Sequence, residues 1–202
     1  QFLETWGYMS FVLSDNSQDI HNYLEKKGSY NQWINLLFYK NKFNRAFIES
    51  TVFRPVVQNV AWDIKREEIN AIFNRLSEIA SMEQPTWTYA HIMCPHPPFI
   101  FSSLGESVGP VKALYDKVLN PKKAFVTQVK YINQRILSVL EDLFSKSKIQ
   151  PIIIIQADHG SGYVLESDLF SEAAPSNNFV RNQLAILNAI YLPRASSVPS
   201  SE

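Results

Sequence analysis

One cysteine, Cys94, occurs in 202 residues. A single thiol excludes an internal disulfide and any cysteine-rich zinc site. No apolar run approaches the roughly 20 residues that a membrane-spanning helix needs, and the longest, around Ile152–Ile155, is only strand-sized. Charge of neither sign is in excess: 19 lysines and arginines balance 19 aspartates and glutamates. The basic footprint of a nucleic-acid binder is therefore absent, and no nucleic-acid partner is expected. Internal repeats, low-complexity tracts and a signal-peptide pattern are also lacking. What remains is a globular composition, 46% apolar and 19% charged, in a chain long enough for one large domain or two small ones.

Several familiar motifs fail on inspection. "GSGYVL" at 160–165 has two glycines at phosphate-loop spacing but Leu165 at the third place. Ser161 is flanked directly by Gly160 and Gly162, whereas a nucleophile elbow needs each glycine two residues away. No H-E-x-x-H is present. The aromatics Trp33, Phe38, Tyr39, Phe43 and Phe47 read as core rather than as a stacking platform for bases.

Periodicity sets the elements. "YMSFVLS" (8–14) predicts a short strand closed by the turn "DNS", and short helices are expected over 18–50. Residues 62–82 predict an amphipathic helix, with Ile69, Ile72, Phe73, Leu76 and Ile79 on one face. "PTWTYAHIM" (85–93) alternates as a strand does, and the prolines of "CPHPPF" (94–99) must end it. Gly105, Gly109 and Pro110 mark 102–120 as a long loop. A second helix is predicted over 124–146, with a stripe of Phe125, Val129, Ile132, Ile136, Val139 and Leu143. Pro151 opens a buried isoleucine strand, 160–178 reads as loop, and "QLAILNAIYLP" (183–193) as a last strand. Helices alternating with apolar strands predict an α/β fold with a mainly parallel, largely buried sheet flanked by helices. One domain is expected over 1–193, followed by a polar tail, 194–202.

"IIIIQADHG" (152–160) ends the greasiest strand on Asp158 and His159. Ligands gather at the carboxyl ends of strands in open α/β sheets. Neighbouring residues of a regular strand face opposite ways, so both reach one ion only if the chain bends, and Gly160 makes a bend easy. Carboxylate oxygen with imidazole nitrogen suits zinc or manganese better than calcium. A polar turn capping a strand explains the same residues equally well. In "AHIMCPHPPF" (90–99), a strand continued through 91–96 turns His91 away from Cys94 and His96. His91 then reads as a hydrogen-bonded core histidine and Cys94 as a small buried hydrophobe. His96, stiffened by Pro95 and Pro97, would be held out into a cleft.

Together, "HIMCPHPPF", the helix carrying "YINQRILSVLEDLF", "IIIIQADHG" and "LAILNAIYLP" resemble the second half of the sulfatase-like hydrolases and transferases of the alkaline phosphatase superfamily. The likeness is greatest to the bacterial membrane-anchored branch, which includes lipoteichoic acid synthases and related phosphoglycerol transferases. It runs from about residue 85 to 193, and more loosely through "FLETWGYMSFVLSDNS". The resemblance implies a partial alkaline-phosphatase-like fold, with Asp158 and His159 as ligands of a catalytic divalent metal (zinc, manganese or calcium). It implies His96 beside the phosphate or sulfate of an ester substrate, with lipid-linked and cell-envelope-glycan-linked esters as the candidates. It also implies a site on the extracytoplasmic face of the bacterial cell membrane.

The family's hydroxyl nucleophile and first acidic metal ligand have no equivalent here, so no catalytic residue is assigned. The chain begins at Gln1 and closes on "RASSVPSSE", and we expect a piece of a longer protein whose membrane segment and nucleophile lie upstream. Alone it is expected to be inactive and prone to self-association through apolar surface. The alternative is a non-catalytic binding or scaffolding relative of the same fold.

Overall fold

The computed structural model describes residues 3–15, 17–28, 43, 46–47, 50–52, 54–160 and 177–193. The expectations for most of 29–49, for Ser161 and the "GSGYVL" glycines, for the loop over 161–176 and for the tail 194–202 lie outside the described residues. The chain divides into two compact units, residues 1–148 and 149–202. The fold is mixed α/β, with a small parallel two-stranded sheet flanked by helices.

In the first unit, β1 (Met9–Ser14) pairs in parallel with β2 (Thr86–His91), in the register Phe11 to Thr88 and Leu13 to Ala90. Phe11 and Leu13 alternate inward and are buried, whereas Val12 between them is exposed. The chain then turns into α1 (Gln18–Lys26). Ser17 caps that helix: its hydroxyl accepts from the Ile20 N–H at 3.4 Å and from the Ser14 N–H at 3.2 Å. Asp19 on α1 reaches back to accept the Val12 N–H at 2.8 Å, which covers an edge group of the strand.

The central element is α2 (Arg54–Ile79). It begins eight residues before the predicted start, and Pro55 falls in its first turn, where a missing N–H costs no intrahelical bond. The stripe is as expected and serves two cores. Ile72 and Ile79 pack with Phe11, Leu13, Ile20 and Leu24 under the sheet and α1. Ile69 and Phe73 pack with Ile100, Phe101, Ile132 and Val139 on the other side. Between α1 and α2, His21 Nε2 lies 3.5 Å from Glu68 Oε1, both buried.

The expected long loop over 102–120 is corrected. Residues 110–119 form a helix, α3 (Pro110–Leu119), with Pro110 at its first position. Gly105, which has φ +83°, and Gly109 mark the loop before the helix and not an absence of helix. Next, α4 (Pro121–Lys146) buries Ala124, Gln128, Tyr131, Ile132 and Val139.

In the second unit, β3 (Ile153–Gln156) pairs with β4 (Asn188–Tyr191), and the pairing is antiparallel: Ile153 to Tyr191, Gln156 to Asn188. The helix α5 (Asn177–Leu184) comes before β4, so the predicted last strand is shortened at its start. The isoleucine run does not form a strand buried on both faces. Ile153 and Ile155 are half-buried while Ile152 and Ile154 are 66% and 63% exposed. A continuous apolar run fixes neither the pairing partner nor how many faces are covered.

Candidate functional site

At the end of β3 the backbone leaves the strand and is held by α5 and the residues after it. The Ala157 N–H donates to Leu187 O at 2.9 Å, and the Gly160 N–H donates to Gln183 O at 2.7 Å. A β-carbon at Gly160 would collide with the carbonyl oxygens of Asn182 and Ala185. Glycine is therefore required here by the close approach of another backbone segment.

That turn brings Asp158 and His159 to one point. Asp158 Oδ1 accepts the His159 N–H at 2.9 Å. His159 Nδ1 lies 2.8 Å from Gly160 O, so that nitrogen carries the proton and donates to the carbonyl. The remaining atoms, Asp158 Oδ2 and His159 Nε2, face each other at 3.7 Å. Both side chains are largely exposed, 86% and 60%. Two donors about 2.1 Å from a zinc ion stand about 3.4 Å apart at the tetrahedral angle. The 3.7 Å between Asp158 Oδ2 and His159 Nε2 is close to that span. The Nδ1–H bond to a carbonyl is the outer contact that metal-bound histidines use to fix their tautomer. Two donors make only part of a metal site, and among the described residues no group of three or more His, Cys, Asp or Glu side chains converges.

His96 belongs to the first unit and the Asp158–His159 pair to the second. His96 is exposed on the segment after β2, with Nδ1 2.6 Å from Pro97 O. That bond commits Nδ1 as a donor and leaves Nε2 as the acceptor nitrogen of the neutral ring. The segment itself is pinned by a residue that the sequence reading passed over. Gln128 on α4 is fully buried; its Oε1 accepts from Ile100 N at 2.7 Å and Phe101 N at 3.2 Å. Its Nε2 donates to His96 O at 3.5 Å. The available signal was a polar side chain one position from Val129, inside the predicted apolar stripe. Tyr131, one turn on, packs on Phe101 at 4.6 Å and donates its hydroxyl to Asn70 Oδ1 at 2.5 Å.

The reading of His91 as a core histidine is corrected. β2 ends at His91, and the ring stacks on Tyr89 at 6.5 Å on the exposed face that also carries Trp87. Same-face residues of a strand recur every second position, so His91 follows Trp87 and Tyr89 outward. Cys94 is buried, as its reading required, and burial pushes its thiol far above the ordinary range. It is an inert packing group. No described helix is long and apolar enough to cross a membrane. The chain matches no protein-family model, no curated protein and no solved structure.

Proposed function

We propose that this chain is the C-terminal part of an extracytoplasmic, metal-dependent, sulfatase-like phospho- or sulfotransferase or hydrolase with an alkaline-phosphatase-like fold. The observation that carries this reading is the Asp158–His159 turn: one atom of each side chain is tied to the local backbone, and the other two face each other at 3.7 Å. Asp158 Oδ2 and His159 Nε2 would hold the ion. When bound, a divalent cation there would neutralise charge developing on a transferred phosphoryl or sulfuryl group.

The chain's own residues contribute position and proton control. The Gly160 contact fixes the bend, and the Gly160 carbonyl fixes the His159 tautomer. His96, with Nδ1 committed to Pro97 O, can work only through Nε2. Protonated there, it donates to an ester oxygen or to a leaving group; neutral, it accepts a proton at the same atom. Such transfer also needs a hydroxyl nucleophile and a further acidic ligand, and neither role is assigned to a residue of this chain.

Calorimetric titration with zinc and with manganese tests the reading. We expect weak binding of one ion, because two protein ligands leave most of the coordination sphere to water, and its loss in Asp158→Ala. Absence of binding, or binding unchanged in Asp158→Ala, refutes the ligand assignment and leaves a non-catalytic scaffold. Metal-dependent hydrolysis of an aryl phosphate or sulfate by these residues alone, abolished by His159→Ala, would mean that the nucleophile lies within the chain.

A further inference from the structure

The helix α3 is assembled with its apolar side outward. Val111, Leu114, Tyr115, Val118 and Leu119 recur at spacings of three and four, and each is 57 to 83% exposed. At 100° per residue they cover an arc of about 140°. The opposite side carries Ala113, which is buried, and Asp116, which is paired with Lys112. The helix is not loosely attached: the Trp62 indole N–H holds the segment before it by donating to Val108 O at 2.8 Å, and the Ala113 N–H closes the first turn on Gly109 O at 2.9 Å. A shallow hollow of about 640 Å³, lined by Asn59, Pro110, Val111 and Tyr115 among others, opens beside the first turn.

Charge identifies what covers this stripe. Between 110 and 123 there are four lysines, Lys112, Lys117, Lys122 and Lys123, against the single acid Asp116, in a chain whose overall net charge is zero. All four lysines are exposed. On the helix, Lys112 and Lys117 flank the two borders of the apolar arc, where long stems reach past the stripe to place ammonium groups at its rim. A helix of ten residues is about 15 Å long, too short to span a bilayer and suited to lying in its interface.

We propose that α3 docks on an anionic phospholipid surface, with Val111, Leu114, Tyr115, Val118 and Leu119 inserted at the acyl boundary and the flanking lysines on the headgroups. Asp116 matches Lys112, and a protein partner of the same shape would leave Lys117, Lys122 and Lys123 without matching charge unless it were itself acidic. The lipid surface satisfies both halves of the pattern. The proposal requires no metal and so stands apart from the Asp158–His159 reading.

The experiment uses Val118→Cys carrying an environment-sensitive fluorophore, with buried Cys94 left unlabelled, and vesicles of phosphatidylcholine with or without phosphatidylglycerol. We expect a blue shift and a rise in intensity with the anionic vesicles, and no change for the same label on Glu141→Cys, an exposed position on α4. Co-sedimentation of the unlabelled chain should fall at least tenfold in Leu114→Glu. It should fall about a hundredfold in Lys117→Glu/Lys122→Glu/Lys123→Glu, at about fivefold for each lysine near the surface. Circular dichroism checks that the variants fold. An unchanged label on adding anionic vesicles, equal sedimentation of all variants, or equal responses at positions 118 and 141 would overturn the proposal. A blue shift that needs no vesicles and grows with protein concentration would overturn it in favour of a second copy on this face.

Discussion

Gln128→Met is the most informative single change in the first unit. The side chains have nearly the same volume, so little cavity is made. What is lost is an acceptor that serves two buried backbone donors, the N–H groups of Ile100 and Phe101, at 2.7 and 3.2 Å. Both residues are about 1% exposed, so water does not replace the acceptor without opening the core. Leaving a buried donor unsatisfied costs about 1–3 kcal/mol, so two give about 2–6 kcal/mol. The donor bond to His96 O adds little at 3.5 Å. With about 2–4 °C lost per kcal/mol for a chain of this size, a melt should fall by about 5 °C or more. Urea denaturation followed by the intrinsic tryptophans measures the whole effect. Amide exchange at Ile100 and Phe101 reports it locally, since those protons should exchange much faster in the variant. A variant within about 0.5 kcal/mol of the parent, with both amides still protected, would refute the argument that Gln128 pins the segment bearing His96.

Gly160→Ala should destabilise the second unit by about 1–3 kcal/mol, the usual cost of overpacking, because its β-carbon meets the Asn182 and Ala185 carbonyls; loss of amide protection at Ala157 and Gly160 would register it. Tyr131→Phe should cost about 0.5–1.5 kcal/mol for the bond to Asn70. Burial raises the Tyr131 phenol, so its contribution is complete below the ordinary tyrosine range near pH 10 and is lost as pH rises above it. Alkaline unfolding should therefore be less steep in Tyr131→Phe than in the parent. Burial pushes Glu78 upward, but its bonds with Lys27, Tyr23 and Arg75 outweigh that and hold the carboxyl below its usual value. Its contribution is present above about pH 4.5 and disappears as pH falls through the lowered value, so Glu78→Gln should flatten the acid limb of a stability–pH curve.

The sequence by itself determined the two long helices, the strand at 9–14 and the strand after Pro85, because each rests on a local period: 3.6 for Ile69, Ile72, Phe73, Leu76 and Ile79, and two for Phe11 and Leu13. It also placed Asp158 and His159 side by side. Tertiary structure decided which strand pairs with which and in what sense, since pairing is made between segments far apart in the chain and periodicity is silent about the partner. For that reason Ile153–Gln156 could be read as a strand but not as half of an antiparallel ribbon with an open face. The helix at 110–119 shows the opposite failure: its spacing was legible in Val111, Leu114, Tyr115 and Val118, but nearby Gly105, Gly109 and Pro110 read as loop signals, although a proline at the first helical position starts a helix. Whether two adjacent side chains face each other was likewise a matter for the fold. It depended on Asp158 Oδ1 and His159 Nδ1 being taken up by the backbone, so that Oδ2 and Nε2 face each other, and on Gly160 lying too close to the carbonyls at the C-terminal end of α5 for any side chain to fit.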